Sequence, residues 1–193
     1  GGRFAREDFS DVFFAKRVRS GEPFVGMDIR VAHDLRIEVK RDSGVTTATK
    51  SFDRIWEPAY DLVSRQRLSV PREVRLLAPL AAVQFDAYIA AHDAKYTFWR
   101  LRPSMADPTI VPLIPQPNHP AYVSNAAIIS SAVADWIGYM FPAEAAVWRY
   151  RGDEAGMSRI YAGIHYPSDE RAGNQMGKSL AALAIQRDRL NGQ

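Results

Sequence analysis

Pro71–Pro103 reads PREVRLLAPLAAVQFDAYIAAHDAKYTFWRLRP. Proline fits the first turn of a helix and stops one elsewhere, so the stretch predicts one long helix from Pro71 to Arg102, kinked at Pro79. Leu77, Ala81, Phe85, Tyr88, His92, Lys95 and Arg102 then fall near one stripe. Lys95 and Arg102 stand two turns and about 10 Å apart on that face, where they can grip opposite sides of one ligand. Working outward, Arg54–Gln66, Asn125–Met140, Ala143–Arg151 and Pro167–Leu190 carry helical periodicity. Gly173 and Gly177 on the last of these permit close helix packing. Asp107–Pro120 holds five prolines and reads as an extended loop, a candidate site wall. Upstream, Asp8–Arg19 reads as a short helix ended at Gly21. The partial alternation of Ile29, Val31, Leu35, Ile37 and Val39 with charged residues reads as a small hairpin or extended arm. The expectation is an all-α helical bundle, with residues 1–50 as an N-terminal extended or short-helix portion and residues 51–193 as the bundle.

The bulk numbers narrow the functions. At 193 residues and 47% hydrophobic, the chain suits one domain with a sizeable core. Net charge is only +3, acids are interspersed with bases, and no Lys/Arg run or basic–aromatic stripe occurs, which argues against nucleic acid as a partner. A small anionic ligand is the better reason for local positive charge. Zero cysteines exclude disulfides, thiolate metal sites and thiol catalysis. A run of about 18 uncharged apolar residues would signal a membrane span. The nearest approach is Ala126–Phe141, broken by Asp135, so no span is expected and a soluble protein is. The opening Gly1-Gly2-Arg3 reads as a processed or trimmed start, which leaves a cytoplasmic or an exported, periplasmic compartment open. A homo-oligomer is left open too.

Chemistry concentrates in two blocks, Lys95–Pro103 (KYTFWRLRP) and Ser158–Asp169 (SRIYAGIHYPSD). Taken alone, Lys95 and Arg102 would read as snorkelling cations and Arg159 as half of a surface ion pair with Asp153 or Glu154. His165 would read as a satisfied structural histidine. Asp169, four residues on, changes that reading: a carboxylate accepting from one imidazole N–H leaves the other nitrogen with a lone pair. Fixed cations around such a nitrogen suit a tetrahedral oxyanion.

In their order and spacing the two blocks resemble the superfamily joining vanadium-dependent haloperoxidases and type 2 phosphatidic acid phosphatases. That pattern runs Lys-x6-Arg-Pro, Pro-Ser-Gly-His, Ser-Arg-x5-His-x3-Asp. The resemblance covers Asp86 to Gly177, and Asp93-Ala94-Lys95-Tyr96 is similar to the soluble bacterial haloperoxidase branch. It implies an oxyanion held by Lys95, Arg102, Ser124, Asn125 and Arg159. His165 would be apical, bound to vanadium or acting as phosphate nucleophile, and Asp169 would orient it.

The middle block departs from the pattern. Tyr122-Val123-Ser124-Asn125-Ala126-Ala127 stands where the family has Tyr-Pro-Ser-Gly-His-Ala, so Ala126 replaces the acid–base histidine. Three altered positions favour natural divergence over a laboratory knock-out. Ser124 and Asn125 read equally well as a helix N-cap, which is itself compatible with anion binding. His119, in the proline-rich loop, is a candidate substitute acid. His92 is expected to pack near the site, His33 on the surface, and Arg100 off the stripe as a solvated charge. The first functional reading is a haloperoxidase-like enzyme with an altered acid–base group and vanadate as its prosthetic anion. The second is a metal-free phosphoric ester hydrolase working through phosphohistidine, with phosphate or a phosphoester as ligand. The third is a non-catalytic homologue that binds an anion or a partner.

Overall fold

The computed structural model describes two short strands and residues 56–191. Strands β1 (Ile37–Val39) and β2 (Thr46–Ala48) pair antiparallel, Ile37 opposite Ala48 and Val39 opposite Thr46. Of the expected hairpin or extended arm, Ile37–Val39 is a strand, and Ile29, Val31 and Leu35 lie outside the described residues. The Asp8–Arg19 helix and His33 lie outside the described residues. Six α-helices follow: α1 (Trp56–Arg65), α2 (Val70–Phe98), α3 (Pro103–Ala106), α4 (Asn125–Met140), α5 (Ala145–Tyr161) and α6 (Pro167–Asn191). A 3-10 turn, Pro142–Glu144, joins α4 to α5. The all-α bundle expected from the sequence is the fold observed.

Helix α4 is the hub. Ala127, Ile128, Ile129, Ala132, Val133 and Ile137 are buried around almost its whole circumference, because α2, α5 and α6 all pack on it. Each buried Ile or Val contributes roughly 1.5–3 kcal/mol relative to exposure. Trp136 donates its indole N–H to the Leu76 carbonyl at 3.0 Å and so pins α4 to α2. Close approach of α6 depends on Gly173 and Gly177. A Cβ at Gly173 would lie 2.8 Å from the Ala127 Cβ, and one at Gly177 would lie 2.3 Å from the Ile128 carbonyl oxygen. Arg75 of α2 makes a bidentate pair with Asp188 of α6 (2.9 and 2.6 Å), and Tyr139 of α4 donates to the same carboxylate at 2.8 Å.

Helix α2 runs through Pro79 but stops at Phe98, not at Arg102. Trp99 turns left-handed (φ 48, ψ 40), and its N–H closes on the Lys95 carbonyl. Arg102 is extended (φ −70, ψ 154) because a residue before proline is pushed out of the helical region. Lys95 and Arg102 are therefore not two turns of one helix: the first ends α2 and the second caps α3. The buried stripe of α2 is Leu76, Leu80, Val83, Ala87, Ala91, Ala94 and Lys95. Of the stripe expected from sequence only Lys95 belongs to it. Phe85 (65% exposed) and Tyr88 (41%) face outward.

Helix α4 has the limits expected of it. Helix α5 extends to Tyr161, past the expected Arg151. Gly152 and Gly156 depress helix propensity, yet both lie against α4, where a larger residue would press on Ser130 and Ala127. Among the described residues one stretch, Val70–Ala106, is long and apolar enough to cross a membrane by length and composition, at mean hydropathy 1.3. Ala126–Phe141, the nearest approach to an uncharged apolar run in the sequence, is instead largely the buried hub helix α4.

Candidate functional site

The proline-rich loop, the turn after α2, the N-terminus of α4 and the start of α6 meet at one place. His165 is buried just ahead of α6, and its Nδ1 lies 2.9 Å from Asp169 Oδ2 in the first helical turn. The Tyr166 N–H donates to the same oxygen at 3.1 Å. The other imidazole nitrogen, Nε2, is 3.0 Å from Arg102 Nη1. A guanidinium can only donate, so Nε2 must carry the lone pair and Nδ1 the proton. Burial, with Arg102 and Lys95 adding to it, lowers the His165 pKa to about 3 against the pull of Asp169. The imidazole is thus neutral at physiological pH with its lone pair on the nitrogen facing the cations.

Arg102 is 1% exposed. Its Nε donates to the His119 carbonyl at 3.0 Å, Nη1 also donates to the Ile164 carbonyl at 2.7 Å, and Nη2 donates to His119 Nδ1 at 3.1 Å. Burial lowers its pKa to about 10, which leaves it cationic at neutral pH. Lys95, fully buried, directs its ammonium at the carbonyls of Pro120 (2.9 Å), Ala121 (2.9 Å) and Val123 (2.5 Å). Its three donors therefore hold the loop segment that leads into α4. Burial first, then the neighbouring Arg102, bring its pKa down to about 7.

Arg159 closes the last turn of α5, and its carbonyl accepts from the Ile164 N–H at 3.2 Å. The side chain is buried, which lowers its pKa to about 10. Among the described residues it has no hydrogen-bond or ion-pair partner. Buried cations are ordinarily paired, so this guanidinium carries a desolvation cost that no partner among the described residues offsets.

Ser124 caps α4. Its Oγ accepts from the Ala127 N–H at 3.4 Å, and its own N–H donates to the Asp169 carbonyl at 3.1 Å, tying the cap to the His165–Asp169 turn. The N-terminus of a 16-residue helix thus lies beside the imidazole, and its dipole favours negative charge. Asn125 is half-buried at the first helical position, and its Oδ1 has no hydrogen-bond partner. Ala126 follows and offers no titratable group.

His119 reaches the cluster through Arg102. With Nδ1 accepting from the guanidinium, its proton sits on Nε2. Burial and then Lys95 lower its pKa to about 4. His92 packs near the site as expected, its ring 5.4 Å from that of His119 in an edge-to-face contact. Arg100 is a correction to the sequence reading. It is not a solvated charge: its guanidinium lies 4.2 Å over the Tyr166 ring, 2.6 Å from Ser168 Oγ and 3.3 Å from Asp169 Oδ1. The residue was missed because Arg100 reaches Asp169 only through the turn at Trp99, which a continuous helix would not make. Among the described residues no group of His, Cys, Asp and Glu could hold a metal ion by itself.

The arrangement is a buried cationic cluster around a neutral imidazole, on an all-α bundle. Residues 142–191 match the family model described as the VCPO second helical-bundle domain. No curated protein matches. Among solved structures, a bacterial vanadium-dependent iodoperoxidase superposes with a TM-score of 0.75 at 19% identity, over 96% of this chain and 50% of that one. A transmembrane PAP2-type phosphatidylglycerolphosphate phosphatase from Bacillus subtilis superposes with a TM-score of 0.61 at 14% identity, over 97% of this chain and 88% of that one. The chain spans about half the length of the iodoperoxidase chain. Residues 142–191 thus resemble that helical-bundle domain, and the chain as a whole shares the fold of both solved structures.

Proposed function

We propose that the chain binds a phosphate-like oxyanion, vanadate above all, as a haloperoxidase-like protein with His165 as its apical residue. The observation that carries this reading is the His165 imidazole. Asp169 accepts a hydrogen bond from the Nδ1–H, so the Nε2 lone pair is directed at Arg102 in a buried, cation-rich setting. The donor set fits such an anion: Arg159 has no protein partner among the described residues, Arg102 can turn its fork from His165, and the α4 N-terminus adds its dipole. Lys95 acts by its charge and by holding the Pro120–Val123 carbonyls, which sets the height of Ser124 and Asn125. The Asn125 amide, turned to present its N–H groups, is a further donor.

Vanadate, when bound, would supply the Lewis acidity that activates a peroxide. This chain's residues would hold the anion and keep Nε2 unprotonated. Proton handling is what the site lacks. Ala126 has no proton to give, and His119, at a pKa of about 4, is unprotonated at neutral pH. Phosphoester hydrolysis through phosphohistidine would therefore be confined to good leaving groups or to acid pH, because an absent general acid costs about 10²–10⁴-fold.

The test is calorimetric titration with vanadate and with phosphate, followed by iodide oxidation with peroxide and by hydrolysis of p-nitrophenyl phosphate. Binding that is lost in the Arg102→Ala, Arg159→Ala double variant is expected. Equal binding by that variant and the wild type overturns the site. Binding without either turnover moves the chain to the non-catalytic, anion-binding reading.

A further inference from the structure

Arg100 is a further cation at the cluster, and its contacts set it apart from the other three. Lys95, Arg102 and Arg159 are 0%, 1% and 5% exposed, whereas the Arg100 side chain is 20% exposed and reaches solvent. Three attachments fix it. Its guanidinium lies 4.2 Å over the Tyr166 ring, its Nη1 donates to Ser168 Oγ at 2.6 Å, and its backbone carbonyl accepts from the Ala121 N–H at 2.9 Å. The same Nη1 donates to Asp169 Oδ1 at 3.3 Å. Arg100 thereby ties the turn after α2 to the loop ahead of α4 and to the turn between His165 and α6.

Asp169 divides its two oxygens between partners. Oδ2 accepts from His165 Nδ1–H at 2.9 Å and from the Tyr166 N–H at 3.1 Å, while Oδ1 accepts from Arg100. The carboxylate is fully buried, and the imidazole, which accepts from Arg102 at Nε2, is neutral. Of these donors to Asp169, only Arg100 therefore brings a full charge to offset the carboxylate. The last torsion of an aspartate is soft, so a carboxylate held at one oxygen can turn. Tied at both oxygens, its plane is set, and with it the ring that donates to Oδ2. The contacts run in series from Arg100 to Asp169 to His165 to Arg102. Arg100 stands at the Nδ1 end of that series, and an anion on Nε2 would stand at the other.

We propose that Arg100 is a positioning residue for His165, an inference that rests on the oxyanion reading of the site. It holds the Asp169 carboxylate in the plane that keeps the imidazole proton on Nδ1 and the Nε2 lone pair toward the anion, and it does not touch the anion itself. The hydrogen bond at one ring nitrogen sets what the other can do, and partners one contact removed from an anion or metal change its affinity through that setting. The alternative role, a fourth cation that binds the anion directly, would not depend on Asp169. A double-mutant cycle separates the two.

The test pairs vanadate affinity, by calorimetry on the full chain, with the tautomer of His165 in the anion-free protein. The tautomer is read by NMR after 15N labelling of histidine, with His165 assigned by its loss in His165→Gln. Arg100→Met keeps an unbranched stem over Tyr166 without the charge. It should weaken vanadate binding about ten- to a hundredfold and give His165 a mixed tautomer, where the wild type carries its proton on Nδ1 alone. Arg100→Lys returns a charge to the carboxylate and should restore the single tautomer and most of the affinity, a recovery that a packing defect cannot produce. On an Asp169→Asn background, Arg100→Met should cost no more than about twofold. The full loss on that background makes Arg100 a direct anion ligand and overturns the proposal. So does a His165 tautomer that Arg100→Met leaves unchanged. A wild type that binds no vanadate overturns the oxyanion reading instead, and the tautomers of wild type, Arg100→Met and Arg100→Lys then decide the role of Arg100 by themselves.

Discussion

Sulfate affinity should fall steeply as pH rises above 7, and Lys95 is the reason. Sulfate keeps one charge state across this range, so any change in its binding belongs to the protein. Lys95 is fully buried with a pKa brought down to about 7, Arg102 and Arg159 remain cationic below about 10, and His165 and His119 stay neutral above about 4. Between pH 7 and 9 only Lys95 among these groups changes charge in the free protein. If the anion requires the ammonium, affinity is flat below pH 7 and then falls about tenfold per unit, roughly a hundredfold by pH 9. Stability of the free protein moves the opposite way. The unfolded lysine holds its proton up to its ordinary pKa near 10.5, so between 7 and 10.5 folding releases one proton. Unfolding free energy therefore rises by about 1.4 kcal/mol per pH unit in that window. Calorimetry at constant ionic strength in buffers of differing ionisation heat measures both affinity and proton uptake. Lys95→Arg, charged throughout, and Lys95→Met, neutral throughout, should both flatten the profile. A wild-type profile that is flat from pH 6 to 9, or the same slope in either variant, would refute the reasoning.

Three further outcomes are expected. Gly177→Ala places a methyl group where the Ile128 carbonyl and Ser131 hydroxyl already stand, so α6 must move off α4. A loss of about 1–3 kcal/mol, read as a melting-point drop of roughly 2–12 °C, should follow, with no drop if that contact is absent. Asp169→Ala takes the carboxylate from Arg100 and removes the acceptor from His165 Nδ1, at a cost of about 3–5 kcal/mol by chemical denaturation. An unchanged midpoint would show that the pairing is not made. Ala126→His combined with Asn125→Gly should raise turnover of peroxide with iodide or of phosphate esters, and His165→Ala on that background should abolish the gain. A double variant that folds and binds the anion without gain shows that the divergence extends past the α4 N-terminus.

Elements whose signals are local were legible. Asn125–Met140 could be bounded because Ser124 is a good cap and Phe141-Pro142 ends the periodicity. The His165–Asp169 pair follows from one turn of spacing ahead of a proline-started helix. What was not legible depends on groups distant in sequence. The left-handed Trp99 ends α2 with no glycine to announce it, and it sends Arg100 toward Asp169 and Arg102 toward His165. The ammonium of Lys95 meets carbonyls at Pro120–Val123, a loop whose path no periodicity describes. The inner and outer stripes of α2 are both apolar, so composition could not say which one the bundle buries.

The three buried cations are not equivalent. Lys95 is offset by three carbonyl dipoles, and Arg102 by two carbonyls and two imidazole nitrogens. These partners desolvate a charge tolerably, and they would keep their places in a purely structural cluster. Arg159 has no such offset among the described residues, though it is 5% exposed. A guanidinium held that way is a standing cost unless something anionic meets it. On the proposed reading the middle block lacks a proton donor at Ala126 and carries added bulk at Asn125, yet neither touches that cost. Anion binding and acid–base chemistry are therefore separable here. Loss of the second leaves intact the electrostatic reason for the first, and Arg159→Leu should raise stability in anion-free buffer while lowering it in sulfate. The same stability change in both buffers would mean that Arg159 meets no anion.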